Sequence, residues 1–227
     1  RGSPLHYAPR RVRVVERRES PAGQTVRVRF VRSGVELDCP LPLLGEHQAA
    51  NLETALAAIE LLRKDGWPIP DEAIVAGAAR VRWPGRMEFL PGPPPLILDG
   101  AHCPLSVAAL VKTLAVRFAP YEPVFLFSML DDKDVEPLIR PVARRFAGAR
   151  VLVFRAPSVR GRASESLVVP LRKQNLDVEA VERPAEAVRR ALAGAGDDNL
   201  LVAFGTLYSV EPVRGAFRRL TGKGPRS

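Results

Sequence analysis

Apolar and charged side chains alternate near the start of the chain. Apolar residues recur there at every second position, with arginines between them: Val12, Val14, Val26, Val28, Phe30, Val35 and Leu37. A period of two is typical of strands with one buried face and one solvated face. The pattern predicts three short antiparallel strands within residues 11–37, with turns at residues 20–23 and 33–34.

The period then changes to that of a helix. Leu52, Leu56 and Ile59 lie three or four positions apart and predict a helix over residues 49–64, with Gly66 just past its end. A second helix is predicted over residues 70–79. The sequence Trp-Pro-Gly at 83–85 interrupts this pattern, and we expect a domain boundary near residue 82.

From residue 86 onward, predicted strands alternate with predicted helices. The strands are expected at 86–90, 96–98, 124–128, 151–154, 178–181 and 200–204, and the helices at 104–118, 135–146, 164–174, 184–193 and 207–220. The first two strands are separated by a Pro/Gly turn and are expected to pair as a hairpin. The later strands are apolar without alternation, which is typical of a parallel sheet buried on both faces.

The predicted fold class is therefore α/β. Residues 83–227 are expected to form a Rossmann-like, doubly wound and mostly parallel sheet. Residues 1–82 are expected to contribute a small antiparallel β element and helices. The 227 residues, 46% of them hydrophobic, can form one large domain or two small ones.

Composition excludes several classes of protein. No apolar run approaches the ~20 residues of a membrane-spanning helix, and residues 1–15 lack the apolar core of a signal peptide, so we expect a cytoplasmic protein. Cys39, Cys103 and three scattered histidines predict no metal site. The net charge of +9 is compatible with a nucleic-acid partner. However, the arginines are dispersed along the sequence and no RNA-binding motif is present. The hypothesis of a nucleic-acid partner therefore rests on the net charge alone.

Three loops follow predicted parallel strands, at residues 99–104, 131–134 and 205–206. Ligands of open parallel sheets bind beyond the carboxyl ends of the strands. Asp99 can accept hydrogen bonds from a sugar diol, Gly100 permits a tight turn, and His102 precedes a helix start that favours anions. The alternatives are a turn residue for Asp99 and a solvent-facing loop residue for His102.

Five segments carry a family resemblance. They read GEHQAAN at 45–51, WPGRME at 83–88, LDGAHCP at 98–104, DKD at 132–134 and GTLY at 205–208. In order and spacing they resemble folylpolyglutamate synthases and their bifunctional dihydrofolate synthase relatives, within the Mur ligase superfamily. The resemblance covers about residues 40–220. It implies an ATP-dependent, ADP-forming ligase that activates a folate or pteroate carboxylate as an acyl phosphate and joins L-glutamate to it, with Mg²⁺ as the metal.

The resemblance also implies roles for nucleotide-binding residues. Gln48 and Asn51 match family residues that approach the adenine, whose adjacent donor and acceptor atoms suit amide side chains. Arg86 matches the arginine that reaches the phosphates, which suit a guanidinium. Asp99 matches the residue near the ribose. A helix cap for Asn51 and an ordinary exposed arginine for Arg86 are the competing interpretations.

Further residues match the part of the family site where the amino acid reacts. The resemblance places His102, as a catalytic residue, near the phosphates and the incoming glutamate. Thr206 stands where the family has serine, near the glutamate. Lys133 falls in the family's Lys-Asp element without an assigned role, and a structural salt bridge is an equal alternative. Cys103 replaces the family's asparagine; cysteine is a poor helix N-cap, with a predicted cost of ~1 kcal/mol.

The sequence contains no Gly-Lys-Ser or Gly-Lys-Thr phosphate loop. The nearest match, TGKG at 221–224, follows a predicted helix and has no hydroxyl residue after the lysine. We therefore expect residues 1–82 to be the end of a central ATPase domain, with its phosphate loop and magnesium ligands supplied upstream in cis or by a separate chain. The 227 residues alone are then expected to be inactive. The alternatives are a non-catalytic nucleotide- or glutamate-binding module and another amino-acid ligase of the superfamily.

Overall fold

The computed structural model describes residues 2, 4–20 and 23–222. Its chain divides into two compact units, Arg1–Trp83 and Pro84–Ser227. Pro21 and Ala22 of the first predicted turn, and Lys223 and Gly224 of the TGKG segment, lie outside the described residues. Among the residues described, no helix is both long enough and apolar enough to cross a membrane.

Unit 1 is a three-stranded antiparallel sheet covered by two helices. Its strands are β1 (Val12–Ser20), β2 (Gly23–Phe30) and β3 (Glu36–Leu41), in the order β1-β2-β3, and its helices are α1 (Glu46–Lys64) and α2 (Asp71–Arg80). The alternation of apolar residues explains this layering, because Val26, Val28 and Phe30 all point into one core with Leu52 and Leu56 of α1.

Arginines occupy the exposed face of this sheet, where acidic residues of neighbouring strands pair with them. The Arg27 guanidinium donates Nε–H to Oδ1 of Asp38 at 2.9 Å, and Arg29 donates to Glu36 at 2.7 Å. The hydrogen bond from Arg27 holds the pKa of Asp38 below its ordinary value. This cross-strand pairing neutralises the charges of Arg27 and Arg29 on this face of the sheet.

Helix α1 begins three residues earlier than predicted. Gly45, with φ of +98°, directly precedes Glu46, so the whole HQAAN segment is helical. Asn51 therefore lies in the second turn of α1, and its interpretation as a helix cap was wrong. The predicted end is confirmed, because Asp65 caps the helix and Gly66 follows it with φ of +93°.

Unit 2 is a six-stranded sheet with helices. The strands lie in the order β4-β5-β9-β6-β7-β8, and all neighbours are parallel except the hairpin of β4 and β5. The strands are β4 (Glu88–Leu90), β5 (Leu96–Leu98), β6 (Glu122–Phe127), β7 (Arg150–Val153), β8 (Asp177–Ala180) and β9 (Asn199–Phe204). The helices are α3 (Pro104–Arg117), α4 (Val135–Arg145), α5 (Glu165–Arg172), α6 (Pro184–Ala193) and α7 (Val210–Thr221). The predicted fold class and hairpin are confirmed.

The central strands of unit 2 are buried along most of their length. Leu96, Ile97 and Leu98 of β5 are completely inaccessible to solvent, as are Leu201 and Val202 of β9. Such strands can only lie inside a sheet covered on both faces, which is why their sequences are apolar without alternation. The largest boundary difference from the prediction in unit 2 is at its last helix: Leu207–Ser209 form a short 3₁₀ turn, and α7 starts only at Val210.

Candidate functional site

The loops after β5 and β9 are joined at the carboxyl edge of the sheet of unit 2. The Asp99 N–H donates to the Ala203 carbonyl at 2.9 Å, and the Gly205 N–H donates to the Ala101 carbonyl at 2.8 Å. Gly205 has φ of +109°, and a Cβ there would lie 2.1 Å from the Ser128 carbonyl oxygen at the end of β6. Residues 99–104 and 205–206 therefore lie side by side, as expected for loops after neighbouring parallel strands.

Asp99 is a buried acceptor for two backbone N–H groups. Its Oδ1 accepts from Ala101 at 2.7 Å and its Oδ2 accepts from Met87 at 2.9 Å, and only 5% of the residue is exposed. Burial raises the pKa of Asp99, against the opposing effects of these hydrogen bonds and of the nearby Arg86 and His102. Each oxygen keeps a second lone pair, but the observed contacts brace two loops, a role that the sequence did not reveal.

The turn that carries Arg86 is fixed on both sides. Gly85 has φ of +70° and donates its N–H to Oε2 of Glu88 at 2.8 Å, while its carbonyl accepts from the Gly100 N–H at 2.7 Å. Met87 has φ of +46°, unusual for a residue with a side chain, and its N–H is the one bound by Asp99. Arg86 is half-buried, and within the described residues no ion pair or hydrogen bond engages its guanidinium.

Glu88 belongs to the same turn and is tied to α7. Burial would raise the pKa of its carboxyl, but hydrogen bonds from Arg214 and from the Gly85 N–H outweigh this effect and lower it. Arg214 donates to both Glu88 oxygens, at 2.9 and 2.6 Å. Arg214 could not be predicted from the sequence, because 126 positions separate it from Glu88 and no local pattern links them.

His102 is exposed at the end of the loop after β5. Its Nδ1 lies 2.8 Å from the Gly100 carbonyl oxygen. A carbonyl oxygen can only accept, so Nδ1 carries the proton and Nε2 is directed away from this contact. The ring is thus oriented by its own loop, which leaves one nitrogen available for a ligand.

Cys103 and Ser106 together cap α3, which begins with Pro104 at its first position. Oγ of Ser106 accepts the N–H groups of His102 and Cys103, both at 3.1 Å, and lies 3.2 Å from the Cys103 sulfur. The predicted loss of a cap at Cys103 is therefore compensated by Ser106. Hydrogen bonds from the side chain and backbone of Ser106 lower the pKa of the exposed Cys103 thiol, with a smaller contribution from Lys133.

Thr206 belongs to the loop after β9 and is buried, with 4% of its surface exposed. Its Oγ1 accepts the Tyr208 N–H at 3.3 Å and so caps the 3₁₀ turn. Next to it, the buried hydroxyls of Ser128 and Ser209 are 2.5 Å apart. Lys133, in the loop after β6, lies 3.3 Å from its neighbour Asp132 in an exposed ion pair.

Gln48 and Asn51 lie in α1 of unit 1. Asn51 is exposed and donates Nδ2–H to Oε1 of Gln48 at 3.1 Å, while Nε2 of Gln48 lies 3.0 Å from Nε2 of His47. Gln48 is itself buried, 5% exposed, so it orients its neighbours from inside the helix face. The buried Gln24 of β2 holds the preceding loop by donating to the carbonyls of Leu43 and Gly45, at 2.8 and 3.0 Å.

Known proteins resemble both units in sequence. Residues 85–207, more than half of the chain, match the family model described as Mur ligase, glutamate ligase domain. The dihydrofolate synthase/folylpolyglutamate synthase of Bacillus subtilis is 29% identical over 201 residues, which are 86% of this chain and 44% of the relative. The Mycobacterium tuberculosis enzyme of the same name is 38% identical over 128 residues, which are 56% of this chain and 26% of the relative.

A solved structure shows the same likeness in three dimensions. The Mycobacterium tuberculosis folylpolyglutamate synthase complexed with ADP and AMPPCP has a TM-score of 0.78 and 31% identity, covering 95% of this chain and 49% of that chain. The present chain thus spans about half or less of the length of the relatives that it matches.

Proposed function

This chain belongs to the Mur ligase family, in the group of folylpolyglutamate and dihydrofolate synthases, and from that membership we propose that it is the C-terminal part of an ATP-dependent folate–glutamate ligase. The ligase phosphorylates a carboxylate of a folate or pteroate substrate. The amine of L-glutamate then attacks the acyl phosphate, forms the amide bond and displaces phosphate, and ADP is the second product. Residues 1–82 end a central ATPase domain, and residues 83–227 form the C-terminal Rossmann-like domain.

Arg86 carries the proposal. The Arg86 guanidinium makes no hydrogen bond or ion pair within the described residues, and it lies on a turn whose backbone is tied to Glu88, Asp99 and Gly100, so it is a preorganised group for phosphate. ATP, when bound, supplies the phosphoryl group that activates the carboxylate, and Mg²⁺ neutralises charge on its phosphates. Because the chain has no Gly-Lys-Ser/Thr loop, we assign the Mg²⁺ ligands and that loop to another region, in cis or on a separate chain.

The remaining residues have supporting roles in this proposal. His102 offers Nε2 near the reacting phosphates and glutamate as the catalytic residue, since its Nδ1 is held by Gly100. Thr206 contacts the glutamate. Asp99 contacts the ribose through its remaining lone pairs while bracing the turn of Arg86. In α1, Asn51 contacts the adenine, oriented by Gln48, which approaches the same ring.

The proposed setting follows from the substrates. ATP, folates and glutamate are cytoplasmic metabolites, and Cys39 and Cys103 are both free thiols, which suits a reducing compartment. A binding module without chemistry is the second candidate. The absence of a Gly-Lys-Ser/Thr segment from the 227 residues favours it for this chain taken alone.

An ADP-release assay tests the proposal on the product of the gene that encodes this chain. We expect ADP formation that requires both a folate and L-glutamate. Arg86→Ala should lower kcat/KM for ATP by at least ~100-fold, the scale of a lost charge contact to the transferring phosphate. Arg144→Ala, which removes an exposed arginine from the end of α4, is the matched control and should behave as wild type. ADP formation that is indifferent to folate and glutamate would reject the ligase.

A further inference from the structure

Arg214 is a buried arginine with a demanding geometry. It lies on α7 with only 8% of its surface exposed, where a guanidinium is costly unless it is fully paired. Its Nε and Nη2 donate to the two carboxylate oxygens of Glu88, and its Nη1 donates to the exposed Glu211. A buried ion pair contributes little net stability compared with apolar residues of the same volume. The function of the pair is therefore inferred from the atoms that it holds in place.

Glu88 links Arg214 to the turn that carries Arg86. The oxygen that accepts from Nη2 of Arg214, Oε2, also accepts the Gly85 N–H at 2.8 Å. A second contact from α7 meets the same turn: a Cβ on Gly85 would lie 2.9 Å from Cγ2 of Val210, one helical turn before Arg214. Helix α7 therefore supports the residue immediately before Arg86 through both packing and a charged hydrogen bond.

We infer that the Glu88–Arg214 pair is a positioning device that fixes the Gly85–Arg86 turn, so that the Arg86 guanidinium is presented to phosphate without a search for its backbone conformation. The role of Arg86 in this inference rests on the proposed function; the fixing of the turn does not. Neither Glu88 nor Arg214 touches the substrate. They act through Gly85, and their removal should weaken ATP binding more than the chemical step.

Four variants test the inference. Arg214→Met keeps an unbranched apolar stem and removes the guanidinium with its donors, and Glu88→Gln removes the charge of the carboxylate. Arg214→Lys restores the charge without the bidentate fork. Arg219→Gln is the matched control, because it removes the charge of an exposed arginine of α7 and leaves Glu88, Arg214 and Glu211 in place. Hydrogen exchange of the Gly85 amide, measured by NMR on the 227-residue chain, reports the turn directly. KM for ATP, measured by ADP release from the gene product, reports its consequence.

We expect Arg214→Met and Glu88→Gln to speed exchange of the Gly85 amide by at least ~10-fold, the scale of one lost charge-assisted hydrogen bond. The amides of Leu201 and Val202 in β9 should stay protected and show that the sheet remains folded. KM for ATP should rise about tenfold with kcat within about twofold. Arg214→Lys should fall between Arg214→Met and wild type, and Arg219→Gln should match wild type.

Unchanged Gly85 exchange in folded Arg214→Met and Glu88→Gln would overturn the inference, as would a loss confined to kcat. If Arg214→Met does not fold, Glu88→Gln and Arg214→Lys decide the question in the same assays. Absence of folate-dependent ADP formation in the wild-type gene product would contradict the proposed function. It would leave the inference open to test, since Gly85 exchange still decides whether the Glu88–Arg214 pair fixes the turn.

Discussion

Replacing Asp99 by asparagine tests whether a carboxylate is needed at the centre of the candidate site. Asp99 accepts two buried N–H groups, from Ala101 at 2.7 Å and from Met87 at 2.9 Å. Asparagine has nearly the same shape but only one acceptor oxygen, and its NH₂ group must face one of these donors. One buried backbone N–H therefore loses its partner.

The size of the effect follows from two opposing contributions. An unsatisfied buried N–H costs about 1–3 kcal/mol. Asparagine also removes the cost of burying a charge, which is the cause of the raised pKa of Asp99. We expect Asp99→Asn to lower the free energy of unfolding by about 1–2 kcal/mol, or Tm by about 3–6 °C for a unit of this size.

The assay must report on unit 2. Both tryptophans, Trp67 and Trp83, belong to unit 1, so their fluorescence does not follow the relevant transition. Far-ultraviolet circular dichroism follows the helices and strands of both units, so the free energy for unit 2 comes from hydrogen exchange of the Leu201 and Val202 amides of β9 during a urea titration. Hydrogen exchange at the Met87 and Ala101 amides gives the local effect. Asp131→Asn, an identical exchange at an exposed residue of the loop after β6, is the control and should be neutral. Stability and amide protection equal to wild type in Asp99→Asn would refute the bracing role.

Three further predictions concern the same edge of the sheet. Gly205→Ala should lower the unfolding free energy measured in urea by more than ~3 kcal/mol, because the new Cβ would lie 2.1 Å from the Ser128 carbonyl oxygen and Gly205 has a positive φ. Gly215→Ala within α7 is the control and should be neutral or stabilising by up to ~1 kcal/mol. Ser106→Ala should cost about 1 kcal/mol in the same assay, since two N–H groups before α3 lose their acceptor; no loss would show that Cys103 caps alone. The pKa of Glu88 is lower in the folded protein than in the unfolded chain, where it is about 4.3. The resulting stabilisation is fully present above pH ~4.3 and is lost as the pH falls through the folded pKa. The unfolding free energy of Glu88→Gln should therefore depend less steeply on pH below ~4.3 than that of wild type.

The element order was predictable because local patterns dominate it. The apolar runs of β5, β6 and β9 and the Gly/Pro interruptions between elements made the parallel sheet and its hairpin readable. The start of α1 was misplaced because Glu46 and His47 carry no apolar signal. The helix begins there because Gly45 adopts a positive φ and Gln24, from a distant strand, holds the loop in place.

The motif residues of the site were recognisable in the sequence, but the residues that hold them in place were not. Arg86, Asp99 and His102 occur in recognisable segments, but the bracing by Asp99 depends on a contact between loops that only the folded sheet creates. Arg214 lies 126 positions from Glu88, and nothing in its local sequence separates it from the neighbouring arginines. Ser106, three positions after Cys103, was a readable capping signal that the comparison with asparagine obscured.

We propose that this chain supplies part of a folate–glutamate ligase whose phosphate contact is Arg86. Mass spectrometry of the folate after incubation with ATP, L-glutamate and the gene product tests it most directly. We predict a product heavier by one glutamyl residue for the wild-type protein, formed only when ATP is present and nearly absent with Arg86→Ala. A folate of unchanged mass, or equal product from wild type and Arg86→Ala, would contradict the claim.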